Sequence, residues 1–233
     1  MTAVNRAADA APDTLRVSLD ATAAVKIGPC SRKGRSRVPT AAADHDFQPA
    51  ATVTPVGLLL PELGERFLYA VTSRVTSDCL ADRLAQWWAG VRDRFAHSTT
   101  LVLNRDNGPE HHRQRTRFMQ RLVQFAQQAR RTIQLADYPP YHRKYNAVEH
   151  CWGLLEQHWN GALLDALDAV VGFAATMTWQ GAHPVVALVS TVYARGVPLT
   201  KEAMADVEAH LTRHATLGKW CVDIHPPAAP WDS

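Results

Sequence analysis

Tyr138-Pro139-Pro140-Tyr141-His142-Arg143-Lys144-Tyr145-Asn146-Ala147-Val148-Glu149 is the stretch that decides how the rest of the chain is read. Two prolines hold the backbone extended and bar a helix until they are passed. Asn146 then stands as an N-cap. Val148, Trp152, Leu155 and Trp159 recur at i, i+4, i+7 and i+11, which is one face of a helix. Glu149 falls in the first turn of that helix, directly after an aromatic and basic loop. A carboxylate held there is either a capping-box acid, three residues after Asn146, or a metal ligand.

Upstream of this stretch the chain alternates strands and helices. Residues 15–21 alternate apolar and polar side chains, the period of a half-buried strand, and deliver Asp20 near its end. Residues 25–28 read as its hairpin partner, closed by Gly28 and Pro29. Strands are expected at 53–60 and 66–73. A helix follows over 77–95, with Ser77 as N-cap and Leu80, Leu84, Trp87, Trp88 and Val91 on its core face. The β-branched run 99–104 is a buried strand that opens into the turn Arg105-Asp106-Asn107-Gly108-Pro109. A helix over 113–131 and a short strand at 132–135 lead back to the Pro-Pro loop. Beyond Gly161 the pattern is mainly helical, at 162–179, 184–193 and 200–214, with Thr200 as a cap. The expected division is a disordered lead-in at 1–13, a core at 14–160, a helical extension at 161–219 and an irregular tail at 220–233.

The bulk composition is compatible with this picture. The chain has 233 residues, 46% hydrophobic and 20% charged, enough to bury a sizeable core. The formal net charge of +3 permits a polyanionic partner without demanding one. Its distribution says more: between Arg105 and Lys144 nine Lys or Arg face three Asp or Glu. The segment 31–39 is also basic, carrying Arg32, Lys33, Arg35 and Arg37, and reads as a solvated loop with phosphate contact as the alternative. Cys30, Cys79, Cys151 and Cys221 are far apart and match no zinc or redox spacing, so reduced thiols and a cytoplasmic setting are expected. The start of the chain lacks the apolar core of a signal peptide, and no apolar run is long enough to span a bilayer. Asp44-His45-Asp46 is read as a loop, because three adjacent side chains cannot converge on one ion.

Three acids remain to be weighed. Taken singly, Asp20 ends a strand, Asp106 belongs to an ordinary turn, and Glu149 caps a helix. Taken together, they sit where α/β sheets gather ligands, at strand ends and a helix start. Three carboxylates with open positions suit Mg²⁺ or Mn²⁺. Two such ions, roughly 3.5–4 Å apart, can serve both oxygens of a phosphodiester exchange. On the residues alone the two readings stand level.

The strings Leu103-Asn104-Arg105-Asp106-Asn107-Gly108-Pro109-Glu110 and Tyr138 through Gly153 resemble bacterial insertion-sequence transposases of the DDE superfamily. They are most similar to the ISAzo-type, or Rhodopirellula-type, group. Ser18-Leu19-Asp20-Ala21, Val25-Lys26-Ile27-Gly28-Pro29 and Ala43-Asp44-His45-Asp46-Phe47 resemble the same group, and the likeness runs over most of residues 15–220. The resemblance implies an α/β, RNase H-like (integrase-type) mixed sheet flanked by helices, with a helical C-terminal extension. It implies Asp20, Asp106 and Glu149 as catalytic acids holding two Mg²⁺ or Mn²⁺ ions. It also implies DNA, both element ends and target, as the partner, with a homo-oligomer as a further expectation. Lys26, Arg35, Asn107, His142, Arg143 and Lys144 are the expected DNA contacts.

Departures from the group are specific. Ala147 replaces the proline of the Asn-Pro-Ile-Glu found in many relatives, which loosens the helix start without moving Glu149. Arg105, His111 and His112 crowd Asp106 with positive charge, and His150 follows Glu149. The first strand begins near residue 15, whereas the group carries a helix-turn-helix region before its core, so a truncated chain is expected. The alternative is an inactive remnant that binds DNA or another transposase without cleaving.

Overall fold

Strand β1 (Thr14–Ala21) runs through the middle of a mixed sheet, and its neighbours explain the architecture. The computed structural model describes residues 2–29, 48–49, 51–106, 112–138, 146–194, 199–215, 217–218 and 220–226. On one side β1 pairs antiparallel with β3 (Ala51–Leu60), itself a hairpin partner of β4 (Glu65–Val71). On the other it pairs parallel with β5 (Thr100–Asp106), which pairs parallel with β6 (Thr132–Tyr138). A hairpin joined to parallel strands in the order β4-β3-β1-β5-β6 is the RNase H-like arrangement. Helices α2 (Ser77–Val91) and α3 (His112–Ala129) provide the crossovers into β5 and β6.

Side-chain alternation divides the sheet into two faces. Val17 and Leu19 of β1, Leu101 and Leu103 of β5, and Ile133 and Leu135 of β6 pack under α2 and α3 with Trp87, Phe118 and Leu122. The opposite face is covered by α4 (Glu149–His158) and α5 (Leu167–Thr176) over β3 and β4. Beside them α1 (Thr2–Ala10) lies over Val102 and Ala136 of β5 and β6.

Several expected elements differ. The lead-in is not irregular: alanine-rich α1 forms a helix and buries Ala8 on the sheet, while Asn5 donates to the Tyr138 hydroxyl at 2.9 Å. Only one small residue is buried along it, so no apolar period announced it. The segment β2 (Val25–Ile27) pairs with β3 and not with β1, because β3 and β5 already occupy both edges of β1. Thr76, not Ser77, caps α2, accepting from Cys79 N–H at 3.2 Å. Thr200 caps α6 (Lys201–Glu208) as expected.

The C-terminal third is not purely helical. Val185-Val186-Ala187-Leu188-Val189 forms β7 (Val185–Val189), parallel to β4, where a helix was expected; valine-rich runs favour a pleated surface. Within the expected irregular tail lies β9 (Cys221–Ile224), antiparallel to β6 and flanked by β8 (Leu211–Arg213). Residues beyond 161 therefore extend the central sheet at both ends.

Candidate metal centre

Parallel pairing of β1 and β5 aligns Leu19 with Arg105, so the next residues on each strand, Asp20 and Asp106, leave the sheet side by side. Both point to the face under α4. Glu149 is the first residue of α4 and comes to the same place. One carboxylate oxygen from each acid lies within 4.8 Å of the other two, and all three side chains are half-buried.

Crowding changes the ionisation of Asp20. Burial pushes its carboxyl up to about 7, the negative charges of Glu149 and Asp106 push the same way, and a backbone bond at Ala21 opposes them. A proton shared with Glu149 thus relieves repulsion that a cation would relieve. The donor set is three carboxyl groups, all oxygen, which fits a hard divalent cation.

Glu149 owes its place to the packing of α4. Val148, Trp152, Leu155 and Trp159 are all buried, as their spacing predicted. Gly57, which pairs with Asp20 across the sheet, meets this helix so closely that a Cβ would lie 2.7 Å from Trp152 Cη2. Asn146 is not the N-cap. Val148 holds that position without a side-chain bond, and Glu149 N–H donates to the Asn146 carbonyl at 3.0 Å. The Asn146 side chain instead accepts from the buried Ser18 hydroxyl. Ser18 escaped sequence reasoning, although its even spacing from Asp20 puts both on one face of β1.

Arg105 does not crowd Asp106. Alternation turns it to the far face, where it pairs with buried Asp137 at 3.2 Å and stacks on Phe118 at 4.3 Å. His150 is exposed and meets Trp179 edge-on. The basic character of α3 is also partly consumed within the molecule. Arg117 pairs with Asp78, and Arg121 with Asp78 and Asp82, all across the α2–α3 contact.

Of the expected DNA contacts, Lys26 is exposed in β2 between buried Val25 and Ile27. Arg35, Asn107, His142, Arg143 and Lys144 lie outside the described residues, as do His111 and the Asp44-His45-Asp46 triplet. Cys79, Cys151 and Cys221 are free and buried. Among the described residues no helix is long and apolar enough to cross a membrane.

An RNase H-like sheet with acids at the ends of its first and later parallel strands, and a third on the following helix, defines a class of DDE-type domain. The chain belongs to the family described as Rhodopirellula transposase DDE domain, which matches residues 2–226. A solved structure described as "Mos1 transposase paired-end complex with left transposon end" is similar at 9% identity and a TM-score of 0.49. The match covers 72% of this chain and 49% of that one, so this chain spans about half that chain's length. No curated protein matches.

Proposed function

We propose that Asp20, Asp106 and Glu149 hold two divalent ions, Mg²⁺ or Mn²⁺, with which the domain cleaves insertion-sequence ends and joins them to target DNA in the cytoplasm. The observation that carries this reading is the convergence of three acids from β1, β5 and α4 within 4.8 Å. Membership of a transposase DDE family supports the same chemistry.

Such ions, when bound, activate an attacking oxygen and stabilise a leaving one. The chain's own part is to hold and to orient. Asp20 gives up its proton as a cation enters, and Asp106 and Glu149 complete an anionic oxygen cradle. In the first step water attacks the phosphodiester at the element end, the P–O bond breaks, and a 3′-hydroxyl departs. In the second, that hydroxyl attacks a target phosphodiester, forming one P–O bond as another breaks. Neither step needs a protein nucleophile. Lys26 and, by their place in the chain, Arg35, Asn107, His142, Arg143 and Lys144 are assigned to the DNA backbone, where basic and polar groups give affinity rather than sequence.

The test is strand transfer of a pre-cut element end with Mn²⁺. Joined product is expected from this chain and none from Glu149→Ala. Absence of metal-dependent joining by the unmodified chain, or equal joining by the variant, overturns the proposal.

A further inference from the structure

Ser18 precedes Asp20 by two residues on the same face of β1, and its hydroxyl makes two bonds to the segment that begins α4. It donates to Asn146 Oδ1, and it accepts from Val148 N–H at 3.1 Å. Ser18, Asn146 and Val148 are each fully buried. The proton count closes, with one O–H given and one N–H received. A helix leaves its first N–H groups without partners inside the helix, and Val148 offers no cap of its own. The acceptor comes instead from the strand that carries Asp20.

The origin of that acceptor matters. A local cap by Asn146 would satisfy the helix start without joining it to β1. By accepting from Ser18, the Asn146 side chain ties the helix start to β1. Two attachments, at Asn146 and Val148, fix rotation as well as height of the turn that presents Glu149.

We propose that Ser18 and Asn146 form a latch that sets the spacing of Glu149 from Asp20, making Ser18 a positioning residue of the metal site. The inference rests on the reading of the three acids as metal ligands. Mg²⁺ demands near-ideal octahedral geometry, and outer partners of metal ligands are commonly worth about 10–100-fold in affinity. Loss of the hydroxyl therefore weakens metal binding even where the domain stays folded.

Isothermal titration with MnCl₂, run well below the melting temperature, tests this on the full chain. Ser18→Ala is expected to raise the Mn²⁺ Kd about 10-fold or more. Ser18→Thr, which keeps the hydroxyl, is expected to bind like the unmodified protein. Leu122→Ala opens the apolar core on the other face of the sheet and is expected to lower Tm while leaving Kd nearly unchanged. Should Ser18→Ala not fold, Asn146→Ala is measured in its place, since it removes one bond and leaves the other. A folded latch variant with the original Kd overturns the latch, and so does an equal loss of affinity in Leu122→Ala. If the unmodified chain binds no Mn²⁺, or Asp106→Asn leaves binding intact, the metal reading itself fails and takes the latch with it.

Discussion

On β1, Val17 and Leu19 enter an apolar core under α2 and α3, while Ser18 and Asp20 enter polar ground under α4. On β5, Leu101 and Leu103 do the first, while Asn104 and Asp106 face the other way, Asn104 donating to Asn5 of α1 at 3.0 Å. The same two strands thus build the part that holds the fold and the part that carries the acids. One face gains stability from burial. The other gives some up by holding three carboxylates together, with Asp20 kept protonated well above its ordinary range.

This contrast is best broken by substitutions that strike one face at a time. Leu122 of α3 is fully buried on the core face. Leu122→Ala is expected to cost about 2–5 kcal/mol in chemical denaturation, with the Mn²⁺ affinity of the folded fraction unaltered. A matching loss of affinity would mean that the faces are not separable.

Gly57→Ala tests the other face with a smaller stability effect. The new methyl group meets Trp152 and Val148 at 2.7–3.0 Å, so α4 has to move off the sheet beside Asp20. Overpacking of this kind costs roughly 1–3 kcal/mol, and here Mn²⁺ affinity is expected to fall as well. Stability loss with full metal affinity would show that Glu149 tolerates displacement of its helix.

The gentlest probe is pH. For an acid raised from 3.8 to about 7, the native state holds the proton after the unfolded chain has lost it. Metal-free stability therefore falls as pH rises from about 4 to about 7, and levels off above. The increase in Tm produced by Mn²⁺ is expected to be larger at pH 8 than at pH 6, because below about 7 the cation competes with the Asp20 proton. Asp106→Asn removes one repelling charge and should flatten the metal-free pH dependence. A slope of opposite sign would refute the assignment of Asp20.

Much of this was legible along the chain. Alternation over residues 15–21 and the β-branched run before Asp106 located two acids at strand ends, and the apolar stripe from Val148 to Trp159 located the third on a helix. Where reading failed, the signal was non-local. The edge of β1 was already taken, so β2 went to β3. The strands β7 and β9 formed because β4 and β6 offered them edges, which no window of a few residues records. Arg105 looked like a positive charge crowding its sequence neighbour Asp106, and pleating turned it to Asp137 on the other face.

By itself, then, the sequence determined which residue types occupy the strand ends and the helix start, because side-chain period and turn chemistry are local. Tertiary structure alone decided that the three acids meet, that Arg117 and Arg121 of α3 pair with acids of α2, and that the Ser18 hydroxyl rather than the Asn146 side chain accepts from the Val148 N–H at the start of α4. Those outcomes depend on strand register and on which face of which strand a helix covers. They are settled when distant segments compete for the same edges and the same buried polar partners.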